Sequence, residues 1–305
     1  MEFKVTILGC NSATPSHGRN QTSQVVSLGN IHLLVDCGES TQFQLRKYKV
    51  KYSKIDFIFI SHLHGDHYLG LMGLISTLHL ARRTRMLTLF GPPGLDEIIT
   101  VQLKYGNLKL HYPLRFVPTD TVGKTLLVEE EYFKVFSFPL MHRIPCTGFL
   151  VEEKPRLRNL VKEKVHYGKL GIEAINTLRK GLDFLDEKGQ VLYSAEEYTH
   201  PPAPLRKYAF CSDTVYDETI IPYVQDVNLL YHEATFMNID QIRAKETCHS
   251  TGAQAAAIAQ AADVKQLLLG HFSSRYGDLD PLLIEAREVF PDTIISEEGK
   301  TYWVE

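Results

Sequence analysis

Short apolar runs rich in β-branched residues alternate along this chain with a few longer stretches of helical spacing. Residues 3–8, 25–28 and 31–35 have strand character and are broken at Gly9 and at Gly29-Asn30, so the last two predict a hairpin. Residues 55–60 are almost wholly apolar, as in a strand buried on both faces. Leu71, Leu74, Ile75 and Leu78 recur at helical spacing within 70–81. A strand over 86–90 ends at Gly91-Pro92-Pro93-Gly94, and a helix is predicted over 96–104.

Further strands are predicted at 126–128, 132–138, 147–151, 208–211, 227–231 and 266–269. The Ala-rich stretch 251–262 predicts a helix with Ser250 or Thr251 as N-cap. The helix over 281–290 starts with Pro in its first turn, where the missing N–H costs nothing. Strands at 293–296 and 302–304 close the chain, and there is no internal repeat. The pattern predicts an α/β (α+β) protein of two sheets with helices outside, an αββα sandwich.

One stretch departs from this pattern. Between Lys154 and Gly181 stand eight basic residues (Lys154, Arg156, Arg158, Lys162, Lys164, Lys169, Arg179, Lys180) against Glu163 and Glu173 alone. The region 152–204 ends in Pro201-Pro202-Ala203-Pro204, and its apolar residues look too sparse for a second core. It is expected to be an inserted basic arm protruding from a single domain that spans 1–305.

Composition narrows the classes. With 44% hydrophobic and 23% charged residues, the 305-residue chain buries a core and is not disordered. Its net charge of -3 gives no global basic field, so a nucleic acid would be held by a local patch. Five scattered cysteines without C-x-x-C spacing argue for free thiols rather than a disulfide framework or a zinc knuckle. No signal-peptide core opens the chain, and no apolar run approaches the roughly 20 residues that cross a bilayer. A cytoplasmic protein without membrane association is expected.

The chemistry concentrates in His62-Leu63-His64-Gly65-Asp66-His67. Three imidazoles and a carboxylate in six residues are costly to bury unless something pairs them. A short loop after a buried strand can aim them at one point, and nitrogen and carboxylate oxygen are the donors catalytic zinc prefers. His142, Asp213 and His271 each follow an apolar strand in the same way, so the loops would share one sheet edge.

These residues, with Asp36 in Val35-Asp36-Cys37-Gly38-Glu39, resemble the metallo-β-lactamase superfamily. Finer features resemble the ribonuclease Z family of tRNA 3′-processing endonucleases. Gly38-Glu39-Ser40-Thr41-Gln42 is similar to that family's GExTQ stretch, His232-Glu233-Ala234-Thr235 to its HEAT motif and His249-Ser250-Thr251 to its HST motif. Pro15-Ser16-His17-Gly18-Arg19-Asn20 is similar to its PxKxRN loop, with His17 in place of Lys. The arm's Leu170-Gly171-Ile172-Glu173-Ala174 lacks the family's Gly-Pro element.

The resemblance implies two zinc ions per subunit, with manganese or another divalent ion as the alternative. His62, His64 and His142 would hold one, Asp66, His67 and His271 the other, and Asp213 would bridge them. It further implies hydrolysis of precursor tRNA just 3′ of the acceptor stem, with Asp66 accepting the proton of the attacking water. His249 is the candidate donor to the leaving O3′, oriented by Glu233. The arm residues Lys154, Arg156, Arg158, Lys162, Lys164 and Lys169 would grip tRNA, with Arg19 near its 3′ end, in a homodimer where each arm serves the other subunit. Two other classes remain open: a small-molecule phosphodiesterase or arylsulfatase-like hydrolase of the same fold, and a non-catalytic RNA-binding scaffold. Metal content separates the scaffold from the enzymes, and an assay on precursor tRNA separates the two enzymes.

Overall fold

A computed structural model describes residues 1–168 and 170–305 of the chain. Two seven-stranded sheets organise it. The first runs, edge to edge, through Thr301–Trp303, Phe3–Gly9, Ser23–Leu28, Ile31–Val35, Ile55–Phe59, Leu87–Gly91 and Leu114–Pro118. Its first half is antiparallel, and from Ile31–Val35 onward it is parallel. The second runs through Thr293–Ile295, Leu267–Gly270, Leu229–Glu233, Lys207–Cys211, Cys146–Glu153, Phe133–Leu140 and Thr125–Glu129. Its four strands from Thr293–Ile295 to Lys207–Cys211 are parallel.

The sheets pack face to face through aromatic rings. Phe59 stacks on Phe90 at 4.8 Å and meets Phe149 of the other sheet at 5.3 Å. Phe210 stacks on Tyr231 at 4.9 Å, and the Tyr208 hydroxyl crosses to Gln24. Each such ring removes a large apolar area from water. Helices cover the outer faces. Leu71, Leu74, Ile75 and Leu78 of the helix Leu71–Leu80 are buried against Leu34, Ile58 and Leu89. On the other side, Ala255, Ala256, Ile258 and Ala259 of the helix Gly252–Ala261 are buried. The αββα sandwich expected from the pattern is therefore the observed one.

Close approach sets the path of the functional loops. A Cβ on Gly70 would lie 2.1 Å from the Gly38 carbonyl oxygen, so only glycine lets the helix beginning Leu71 sit against the loop that carries Asp36. The helix Gly252–Ala261 starts at Thr251 with a capping box: Thr251 Oγ1 accepts from Gln254 N at 3.2 Å, and Gln254 Oε1 accepts from Thr251 N at 3.0 Å. Of the two N-caps proposed, Thr251 is the one used; the Ser250 hydroxyl instead donates to the Thr214 carbonyl at 2.8 Å. Both contacts fix the position of His249 just before the helix.

The chain divides into two compact units, the second comprising Glu130–Lys134 and Glu152–Leu205. That second unit corrects one expectation. It contains helices Lys162–Gly168, Ile172–Arg179 and Ala195–Tyr198 and two small two-stranded sheets, and it buries Ala174, Leu178, Ala195 and Thr199. Its apolar residues do make a small core, because the short helix Ile172–Arg179 brings Ala174 and Leu178 to one side, four positions apart. Sequence patterning also missed the helices Thr41–Lys47 and Gln241–Thr247 and the strand Leu114–Pro118. The two helices are polar with few buried positions, and the strand is only half-buried, so none has a strong period.

Four of the five thiols are buried, and burial pushes Cys10 and Cys37 up to about 12. A thiolate-specific reagent at pH 8 is expected to titrate at most one thiol in the native protein, Cys248, and all five after denaturation. Rapid reaction of two or more native thiols would contradict this packing.

Candidate metal centre

The strand Ile55–Phe59 delivers Ser61 and His62 at its carboxyl end, and the helix Gly65–Tyr68 follows with Asp66 and His67. Asp213, Glu233 and His271 sit at or just past the carboxyl ends of three parallel strands of the other sheet. His142 follows the strand Phe133–Leu140. Carboxyl ends of parallel strands are where α/β sheets present their sites. All seven expected metal donors converge there. His62, His64, His142 and Asp213 form one group and Asp66, His67 and His271 another, and the donor atoms of each lie within 4.8 Å of one another.

Several of these distances match ligation of a shared ion. Two donors about 2.1 Å from one tetrahedral ion lie about 3.4 Å apart. His67 Nε2 and His271 Nε2 are each 3.4 Å from Asp66 Oδ2, and they are 3.4 and 3.2 Å from Asp213 Oδ1. In the other group, His64 Nδ1 is 3.0 Å from His62 Nε2 and 3.2 Å from His142 Nε2, and His62 Nε2 is 3.5 Å from Asp213 Oδ2. His67 Nε2 and Asp213 Oδ1 are buried with no hydrogen-bond partner among the described residues. Buried polar atoms are otherwise almost always paired, so these two atoms are the ones a cation would satisfy.

A surrounding set of acceptors aims the imidazoles. Asp36 is fully buried; its carboxylate accepts from Ser61 N at 2.8 Å and Ser61 Oγ at 2.9 Å and holds His67 Nδ1 at 2.7 Å. The Cys248 carbonyl accepts from His142 Nδ1 at 2.9 Å. Thr235 Oγ1 donates to Glu233 Oε2 at 2.7 Å, so it accepts from His271 Nδ1 at 2.9 Å. In each case an acceptor takes the Nδ1 proton and leaves the Nε2 lone pair facing the site. Ala13 N donates to Asp66 Oδ2 at 2.7 Å. Ala13, Asp36 and His271 have φ values of 51°, 54° and 59°, an uncommon left-handed conformation for non-glycine residues that marks strained placement around the site.

The electrostatics have the same sense. Burial disfavours a charged His67, yet Asp213, Asp66 and Asp36 overcome it and raise its pKa well above the usual value. Burial would likewise raise Asp66 and Asp213, yet the neighbouring imidazoles hold both carboxyls well below the ordinary carboxylate range. The cluster calls for positive charge, which a proton on His67 or a metal cation can supply at the same place.

His249 stands beside this cluster. Its Nδ1 is 2.8 Å from Glu233 Oε1 and 4.0 Å from Asp213 Oδ2. Glu233 is fully buried and also accepts from Thr214 N and Thr235 N, each at 3.0 Å. Burial opposes a charged His249, but the Glu233 carboxylate outweighs it and lifts the imidazole to about 9. His232, by contrast, is buried in its strand, with Nδ1 2.7 Å from the Glu233 carbonyl oxygen. Asp66, Asp213, His64, His249 and His271 line a cleft of about 370 Å³ that Arg143 also borders.

Comparison with known proteins places the chain. A family model described as anti-Pycsar protein Apyc1 matches residues 3–112. A Bacteroides thetaiotaomicron protein named ribonuclease Z is 45% identical over 298 residues, covering 98% of this chain and 94% of its own. A Cytophaga hutchinsonii ribonuclease Z is 44% identical over 304 residues, covering 100% and 97%. The chain belongs to the ribonuclease Z family. Among solved structures, the short form of human tRNase Z matches this family member with a TM-score of 0.71 at 27% identity, covering 99% of each chain. The metallo-β-lactamase fold protein YhfI from Bacillus subtilis matches at 0.70 and 19% identity, also covering 99% of each, which speaks to the fold alone.

Several of the expected substrate-contact residues have partners of their own. Arg19 is half-buried and engaged: Nε donates to Asn11 Oδ1 at 3.0 Å and Nη2 to the Tyr276 carbonyl at 2.5 Å. In the second unit Arg156 pairs with Glu153, Arg158 Nε donates to Thr199 Oγ1 at 2.6 Å, Lys164 pairs with Glu197 at 2.9 Å, and Lys154 Nζ donates to the Glu130 carbonyl at 3.1 Å. Lys162, Arg179 and Lys180 are exposed. Lys169 lies outside the described residues.

Sequence reasoning gave no role to Ser61, Thr235 or the Asp36 carboxylate, although Thr235 closes the HEAT motif and Asp36 stands in a quoted motif. The Asp36 contact makes a direct test. Asp36→Asn removes the charge that orients His67 and is expected to weaken metal uptake about 10–100-fold, read by chelator competition. Unchanged affinity would show that His67 needs no such support.

Proposed function

We infer that the chain is a metal-dependent endoribonuclease that hydrolyses the phosphodiester 3′ of the acceptor stem in precursor tRNA, leaving a 3′-hydroxyl on tRNA and a 5′-phosphate on the trailer. The observation that carries this reading is the meeting of seven His and Asp donors with the His249–Glu233 pair in a chain 45% identical over nearly its whole length to a ribonuclease Z. The donor set is nitrogen and carboxylate only, which suits zinc and is compatible with manganese. His62, His64 and His142 would hold one of two ions, Asp66, His67 and His271 the other, and Asp213 both. Bound divalent ions supply hydroxide near neutral pH and offset charge on the phosphate.

The protein's own groups do the rest. Asp66, kept ionised by its neighbours, accepts the proton of the attacking water. His249, held by Glu233 and charged near neutral pH, gives a proton to the departing O3′. Glu233 is fixed in turn by two backbone N–H groups and the Thr235 hydroxyl, so the donor's Nδ1 is tied and its Nε2 is left for the substrate. The exposed lysines and arginines of the second unit would contact tRNA phosphates, which position a substrate without reading its sequence. Arg19 would hold its loop in place through the Asn11 and Tyr276 contacts. A homodimer, in which each basic unit serves the partner's site, and a cytoplasmic location complete the reading. No helix among the described residues is long and apolar enough to cross a membrane.

Incubation with a precursor tRNA carrying a 3′ trailer tests the whole reading: cleavage directly 3′ of the acceptor stem is expected, and an intact precursor in the presence of zinc or manganese would refute it. His67→Ala should lose metal and cleavage while the fold survives. His249→Ala should keep metal and tRNA binding but turn over about 10²–10⁴-fold more slowly; normal turnover would remove its role as acid. Reversing Lys162 and Lys180 to Glu should weaken tRNA binding and flatten its salt dependence by about two ion units. An unchanged salt slope would place the phosphate contacts elsewhere.

A further inference from the structure

Arg143 follows the His142 donor directly, is exposed, and is joined by no hydrogen bond or ion pair among the described residues. It borders the cleft of Asp66, Asp213 and His249, and it also lines a second groove with Thr121, Met141, Ile144, Pro145 and Asp217. Asp217, the carboxylate in that groove, is occupied by Thr219, accepting from its N at 2.9 Å and its Oγ1 at 2.8 Å. The guanidinium is thus left with its donors unengaged where the two spaces meet. A third groove meets the cleft at His249 and is lined by Val215, Tyr216, Ile242 and Lys245.

We propose that Arg143 is a binding site for the first phosphodiester of the 3′ trailer, the linkage one nucleotide downstream of the scissile bond. This rests on the reading of His249 as proton donor. If His249 serves the leaving O3′, the nucleotide that ends in that oxygen lies on the His249 side, in reach of Tyr216 and Lys245. The scissile phosphate stays with the trailer, whose chain then leaves past Arg143. A planar guanidinium fork takes a phosphate through two parallel hydrogen bonds, and its weak hydration lowers the cost of contact. Exposed Met141 and Pro145 offer the adjoining base an apolar surface in the same groove. The contact is with backbone, so it favours substrates that possess a trailer of two or more nucleotides whatever their sequence.

The test is a cycle on kcat/KM with precursors carrying a two-nucleotide trailer. The linkage between the two trailer nucleotides is either native or a neutral methylphosphonate, and the enzyme is either wild type or Arg143→Gln, with metal content and melting temperature checked against wild type. Each change alone is expected to lower kcat/KM about tenfold, and the two together hardly further, since both remove one interaction. Arg143→Lys should recover part of the loss on the native linkage only. Multiplying losses, no loss in Arg143→Gln, or coupling instead to a methylphosphonate placed on the tRNA side of the cut would overturn the proposal while leaving the function reading intact. A wild-type protein that leaves every precursor uncut overturns both.

Discussion

Buried negative charge that needs a counter-ion governs this protein. Asp36, Asp66, Asp213 and Glu233 converge on one end of two sheets, and three of them are fully or almost fully buried. A carboxylate away from water is costly unless paired. Here the pairing comes from a ring of imidazoles: His67 lies against three of the carboxylates and His249 against Glu233. What imidazole protons leave unmet, the facing lone pairs of His67 and Asp213, is the place where a cation fits.

That demand explains why so much structure is devoted to orientation. Three of the imidazoles are backed by an acceptor: Asp36 behind His67, the Cys248 carbonyl behind His142, Thr235 behind His271. Thr235 and Glu233 tie His271 to His249, because Thr235 meets His271 and the same carboxylate binds Thr235 and His249. A change in one would be felt by the other. Left-handed Ala13, Asp36 and His271 and the Gly38–Gly70 contact show that the backbone, too, is held where chemistry needs it.

The two units divide the work differently. The main unit carries the donors and the cleft, while several cations of the second unit have local partners, leaving Lys162, Arg179 and Lys180 exposed. A count of charges does not tell which of these residues are engaged. The structure separates those that hold their own unit together, such as Arg158 on Thr199, from those turned to solvent.

The amino-acid sequence by itself determined the sandwich and the heart of the His/Asp cluster, because burial writes a period into strands and helices and because His62 to His67 are too close together in the chain to be scattered in space. It could not decide the partners of Asp36, Ser61 and Thr235 or the surroundings of Arg143, nor which basic residues of the arm are engaged. Those depend on partners 25 to 36 positions away for Asp36–Ser61 and Thr235–His271, and on what surrounds a side chain after folding. Hydrogen-bond direction, the orphaning of a buried atom and the freedom of a guanidinium are properties of neighbours, and only the tertiary structure chooses neighbours.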